Sequence, residues 1–230
     1  AIKAEAQANG TFMKAPNGKD TNLNEAQWTD VRTKRFTDFF GDWQNDPENA
    51  SKVVDENGEP LVVYHGTKDN FNEFDLDKVG KNGLALGKAF YFTNSSEIAN
   101  SFGDVKSFYL KLNGEISNKS KTISKADVIK IIKELEKYDE YFLSNYGDIQ
   151  TEGRRPVLEN AIDDIYNYSD NDIDIINSLF NVGGVDREIV SKTIFDITGK
   201  NGIIVNADIT AMNATENEIV YAVITPNQIK

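Results

Sequence analysis

The chain has no cysteine and a single histidine among its 230 residues. Disulfides and thiolate metal sites are therefore excluded, and one imidazole cannot assemble a zinc cluster. Long apolar runs are missing too: no stretch approaches the roughly 20 residues that cross a bilayer, so no membrane role is expected. Basic residues are outnumbered, 25 Lys and Arg against 37 Asp and Glu, for a net charge of -12. That balance disfavours nucleic acid and anionic membranes as partners, because both need a basic footprint. It leaves room for a local basic pocket that takes a phosphorylated small molecule. The start, "AIKAEAQANGTF", has neither an initiator Met nor a basic and apolar leader, and reads as a piece of a longer polypeptide.

What remains is ordinary for a folded soluble chain, with 39% hydrophobic and 27% charged residues. Residues 1–20 are polar and read as an extended arm. Over 24–41, "NEAQWTDVRTKRFTDFFG" spaces Trp28, Val31, Phe36, Phe39 and Phe40 as on a helix ending at glycine. "ENGE" predicts a tight hairpin turn, followed by a strand over Leu61–Tyr64 that ends at His65. A glycine-punctuated loop leads to a short strand over Ala89–Thr93, and Asn94, with Glu97 three residues on, can cap the next helix. "SFYLKLN" alternates Phe108, Leu110 and Leu112 as a half-buried strand. A helical block occupies 124–199, and strand signals return in "GIIVNA" and "NEIVYAVIT" over 202–230. Short strands at both ends of a helical middle make the class α+β with an inserted helical block, the whole of 1–230 forming a single domain. Within the block, "DNDIDIIN" is acid-rich but lacks the glycine and terminal Glu of a calcium loop. It reads as a solvated helix start, and no metal is expected.

Three features carry chemistry. His65 is followed by Gly66 and Thr67, and a glycine lets a ligand approach the backbone closely. A histidine at a strand end is also a common structural hydrogen-bonding residue. Tyr91 and Phe102 lie on successive elements, and two such rings can sandwich a flat heterocycle or simply pack in a core. Glu216 and Glu218 are two apart before an apolar strand, so both point to one face. A carboxylate there can steady positive charge developing on a sugar carbon, although exposed acids at strand starts are also common without function.

Taken in this order, "HGT", "FYFT" with its following helix, and a Glu heading a late strand resemble the His-Tyr-Glu ADP-ribosyltransferases. These include diphtheria-type toxins and the catalytic domains of poly(ADP-ribose) polymerases. "QWTDVRTKRFTDFFGDW", "SKVVDENGEPLVVYHGT" and "TPNQIK" are more similar to the ADP-ribosyltransferase domains in polyvalent proteins of phages and mobile elements. The resemblance covers the N-terminal helix, the first part of an NAD-binding core within 61–113 and the last thirty or so residues. It implies a split antiparallel β core, NAD as substrate, and a protein acceptor reached in a host cytoplasm. His65 would bind a ribose hydroxyl of the adenosine half. The Gly66 backbone, with Thr67 beside it, would hold the nicotinamide carboxamide. Tyr91 and Phe102 would stack on the nicotinamide ring. Glu218 would bind the 2′-hydroxyl of its ribose, with Glu216 orienting the acceptor. Two features depart from the pattern. Ala99 stands where related polymerases have a serine, and the Glu216–Glu218 pair resembles that of arginine-specific transferases, which carry Arg rather than His on the first strand. Three readings follow: transfer to a macromolecule, with arginine as the acceptor side chain; NAD hydrolysis; or an inactive binding module of this fold.

Overall fold

The N-terminal residues that read as an extended arm begin with a helix, α1 (Ile2–Ala8), whose Ala6 is buried. After it, Lys14 and Asp20 form a β-bridge, and Trp28 donates its indole N–H to the Lys14 carbonyl at 3.0 Å. The polar composition hid this because the segment is held by tertiary contacts and not by its own periodicity. The structure, a computed structural model, describes residues 1–69, 71, 73–79, 88–139, 142–147, 152–206 and 218–230.

The single helix expected over 24–41 is two: α2 (Glu25–Asp30) and α3 (Lys34–Phe40). The break has a local cause. Thr33 is extended, and its side chain caps the amide of Phe36 at 3.2 Å, starting a new helix. The next strands and helices are β1 (Val63–Thr67), β2 (Phe90–Thr93), α4 (Ser96–Asn100), β3 (Asp104–Phe108) and β4 (Glu115–Ser117). Helices α5 (Lys125–Leu135), α6 (Arg154–Ile162), α7 (Asp172–Phe180) and α8 (Arg187–Thr198) follow, then strands β5 (Gly202–Asn206) and β6 (Ile219–Val223). The fold is mixed, with six strands among the described residues.

These elements form two compact units. The first comprises Ala1–Asn72, Phe92–Asn113 and Thr225–Lys230, and the second Glu73–Tyr91 and Gly114–Ile224. Strand β2 is divided between them, Phe90 and Tyr91 falling in the second.

In the first unit the strand order is β3-β1-β2, with both pairings antiparallel. Its core gathers Trp28, Val31, Phe36, Phe40 and Trp43. Phe36 stacks on Phe40 at 5.2 Å and meets the edge of Tyr109 at 4.9 Å. A buried ion pair ties this core to the hairpin ahead of β1: Arg32 meets Glu59 at 2.6 Å, the side chains 9% and 0% exposed. Arg32 also lies over the Trp28 ring at 3.8 Å and donates to the Lys14 carbonyl at 3.0 Å. The hairpin itself closes at a Val54–Pro60 bridge. Beyond β3 the extended chain changes partner, Tyr109–Lys111 pairing with Gln228–Lys230. Leu110 and Leu112 are wholly buried there, so the alternation read in "SFYLKLN" is real, but the regular strand begins upstream and ends at Phe108.

In the second unit the order is β2-β6-β5-β4; β5 pairs with β6 antiparallel and β4 with β5 in parallel. Helix α5 buries Val128, Ile131, Ile132 and Leu135, the spacing of one helical face. Burying each such side chain contributes about 1.5–3 kcal/mol relative to exposure. Asp172 corrects the reading of a solvated helix start. It is wholly buried and accepts from the Thr122 amide at 2.7 Å, the Ile123 amide at 2.8 Å and the Thr122 hydroxyl at 2.6 Å. Three donors compensate the burial of its charge, so the acid is a structural link between α7 and the segment before α5.

Candidate functional site

The first unit presents the lone histidine in the middle of a strand and not at its end. β1 continues through His65 to Thr67 because β3 pairs with it residue for residue, from Val63–Phe108 to Thr67–Asp104. His65 is half-buried on an aromatic floor. Its ring lies 5.4 Å from Phe92, tilted, and 6.0 Å from Phe71, edge-on, while Phe92 meets Phe108 at 5.6 Å. Rings packed this way limit the orientations open to the imidazole and so pre-position it.

Gly66 points to the other face of β1. A Cβ built there would fall 1.7 Å from the carbonyl oxygen of Ala99, in α4. The sequence suggested that the missing side chain admits a ligand; in the structure α4 occupies that place. At the last residue of β1 the same device recurs: a Cβ on Gly103, whose φ is +136°, would lie 2.4 Å from the Thr67 carbonyl. Two glycines therefore seat the turn after α4 against β1. Ala99, at the position noted as departing from related polymerases, is buried in this packing. The helix is capped by Ser95, one residue later than Asn94, its hydroxyl accepting from the Ile98 amide at 3.3 Å.

Thr67 accepts from the Asp69 amide at 3.0 Å through its hydroxyl, which shapes the exit from β1. Phe102 follows the end of α4 and is 47% exposed, so this ring is not consumed by the core. Together His65, Gly66, Thr67 and Phe102 fall in the first unit.

The second unit holds Tyr91 and Glu218. Tyr91 lies in β2 between buried Phe90 and Phe92, half-buried, and packs against the second unit's apolar core. Glu218 immediately precedes β6 and is half-buried, next to a strand whose Val220 to Val223 are all buried. Glu216 lies outside the described residues, as does the segment Ala207–Asn217 leading to it.

The sequence reading missed Lys106. It stands directly opposite His65 across β1 and β3. The stretch "DVKSF" alternates no apolar residues around Lys106, since Ser107 follows it, and so gave no signal. Among the described residues no three His, Asp or Glu side chains gather to hold a metal, and no helix is long and apolar enough to cross a membrane.

A family model described as ADP-ribosyltransferase in polyvalent proteins matches residues 55–230. The chain belongs to the ADP-ribosyltransferases of polyvalent proteins. That membership supports ADP-ribosyl transfer as its chemistry, with NAD, the substrate of such enzymes, and a macromolecular acceptor as the general partners. The match spans every candidate residue from His65 to Glu218 and begins within the hairpin that precedes β1, so α1, α2 and α3 lie outside it. No curated protein and no solved structure matches this ADP-ribosyltransferase.

Proposed function

We propose that the chain is a mono-ADP-ribosyltransferase that cleaves NAD and passes ADP-ribose to a protein side chain. The observation that carries this reading is the family match over residues 55–230, a span that contains His65, Gly66, Thr67, Tyr91, Phe102, Glu216 and Glu218. In this reading His65 donates to or accepts from a ribose hydroxyl of the adenosine half. The Gly66 backbone holds the carboxamide, with Thr67 beside it, and the rings of Tyr91 and Phe102 flank nicotinamide. Glu218 binds the 2′-hydroxyl of the nicotinamide ribose.

The chemistry accounts for those residue types. The bond between the anomeric carbon and the nicotinamide nitrogen breaks, and its electron pair leaves with nicotinamide, which departs neutral. Positive charge is left on the sugar, and one fixed carboxylate stabilises it where a neutral side chain cannot. A lone pair of the acceptor then forms the new bond to the anomeric carbon, and the acceptor's proton passes to water or to a carboxylate. Positioning and charge suffice without a covalent intermediate.

Arginine is the acceptor side chain this reading favours. Glu216, two residues before Glu218, can take a guanidinium through two parallel hydrogen bonds. The segment "NADITAMNATEN" before Glu218 has no Lys or Arg to attract a phosphate-rich acceptor. The test is mass spectrometry of proteins incubated with enzyme and NAD, for the wild type and Glu216→Gln. Arginine modification that is lost in the variant while NAD hydrolysis persists is the expected result. Label on DNA or RNA in preference to protein, or on side chains other than arginine, contradicts it. Nicotinamide release without any labelled acceptor would make the protein an NAD glycohydrolase.

A further inference from the structure

Residues directly opposite on antiparallel strands share a face. The pairs Val63–Phe108, His65–Lys106 and Thr67–Asp104 therefore form a strip on one face of the first unit, grading from apolar to ionisable along β1. Helix α4 takes the opposite face, where Gly66 meets Ala99. Lys106 is thus the cross-strand neighbour of the imidazole, at a Cβ separation of about 5 Å for such pairs.

Lys106 is not placed like a surface lysine. It is half-buried, its ammonium lies 4.7 Å from the centre of the Phe71 ring, and it donates to the Phe71 carbonyl at 3.0 Å. That bond uses one of three ammonium donors. A chain of net charge -12 has general reason to repel anions, so a cation held beside the histidine creates the local exception a phosphorylated ligand needs. Asp104, two residues away on the same face, is exposed, and solvent and salt screen it.

We propose that Lys106 holds the diphosphate of NAD. The inference rests on the reading that His65 binds the adenosine ribose. That ribose is joined through its 5′ oxygen to the diphosphate, so a doubly negative group lies a few bonds from the hydroxyls His65 contacts. The ammonium beside His65 is then in reach of it. A charge-assisted bond to a phosphate oxygen gives Lys106 a role in selecting dinucleotides over nicotinamide alone.

The experiment measures binding of NAD, ADP-ribose and nicotinamide by calorimetry at low and moderate salt. The proteins are the wild type, Lys106→Met, Lys106→Arg and, as a control, Lys68→Met, which removes an exposed cation just beyond β1. Lys106→Met should weaken NAD and ADP-ribose by about tenfold or more, the scale of one hydrogen bond to a charged group. Nicotinamide binding should not change, and the salt dependence for ADP-ribose should shrink. Lys106→Arg should restore most of the affinity, and Lys68→Met should behave as wild type. If Lys106 were only a tie to Phe71, its loss would weaken all three ligands alike or none, and salt dependence would persist. Either of those results overturns the assignment, as does wild-type ADP-ribose binding that is insensitive to salt. A wild-type protein that binds neither NAD nor ADP-ribose overturns the underlying reading of the site together with the proposal. Wild-type binding with an indifferent Lys106→Met removes Lys106 alone.

Discussion

Replacing Gly66 by alanine separates a glycine needed for packing from one needed only by a ligand. The added methyl would start 1.7 Å from the Ala99 carbonyl oxygen. A carbon–oxygen contact normally lies at about 3.3–3.6 Å, so that oxygen must retreat by about 1.6–1.9 Å. The obstacle is the backbone of α4, which cannot rotate aside as a side chain would, and α4 is also seated by Gly103 against Thr67. Overpacking of this kind costs about 1–3 kcal/mol, and an immovable neighbour puts it at the upper end. For a chain of this length about 3 kcal/mol lowers the melting temperature by roughly 6–12 °C. Urea and thermal unfolding without ligand are the assays. Gly114→Ala is the control, because its Cβ would make only an ordinary 3.4 Å contact with the Lys200 Cα, and it should change stability by no more than about 1 kcal/mol. A Gly66→Ala protein as stable as wild type but deficient in NAD binding would refute the packing argument and return the glycine to the ligand alone.

Tyr91→Ala should weaken NAD binding by roughly 1–3 kcal/mol, the scale of losing a stacked and partly buried ring; unchanged affinity in a variant with a native circular dichroism spectrum would remove Tyr91 from the site. Glu59→Gln should destabilise the protein by about 3–5 kcal/mol in urea titrations, because it strands the buried Arg32 charge. A loss under 1 kcal/mol would mean that the Trp28 ring and the carbonyls of Lys14 and Trp28 satisfy the guanidinium without the carboxylate.

Strong periodicity was legible in the sequence, and structure imposed by distant partners was not. Helix α5 and strands β5 and β6 could be read because their apolar residues recur at 3.6 or run continuously. Helix α1 could not, since it buries only Ala6, in a core supplied by residues outside it such as Leu23 and Trp28. Strand β1 was cut short at His65 because glycine and a polar loop follow, whereas the pairing that extends it is supplied by β3. Asp172 read as solvated because nothing in "DNDIDIIN" reveals the Thr122 and Ile123 donors that bury it. At the candidate site, His65, Gly66 and Thr67 were proposed from residue order and the family resemblance. The packing role of Gly66 and the place of Lys106 beside His65 needed the strand register.

In the proposed mechanism NAD is cleaved with the help of a carboxylate at the head of β6. Chromatographic measurement of nicotinamide released from NAD by wild type and by Glu218→Gln, with NAD binding to both followed by calorimetry, tests it most directly. The expected result is release by the wild type, and a variant that still binds NAD but turns over roughly a hundredfold more slowly or worse, because shape is kept and charge removed. No release by the folded wild type, or full activity in the variant, would contradict it.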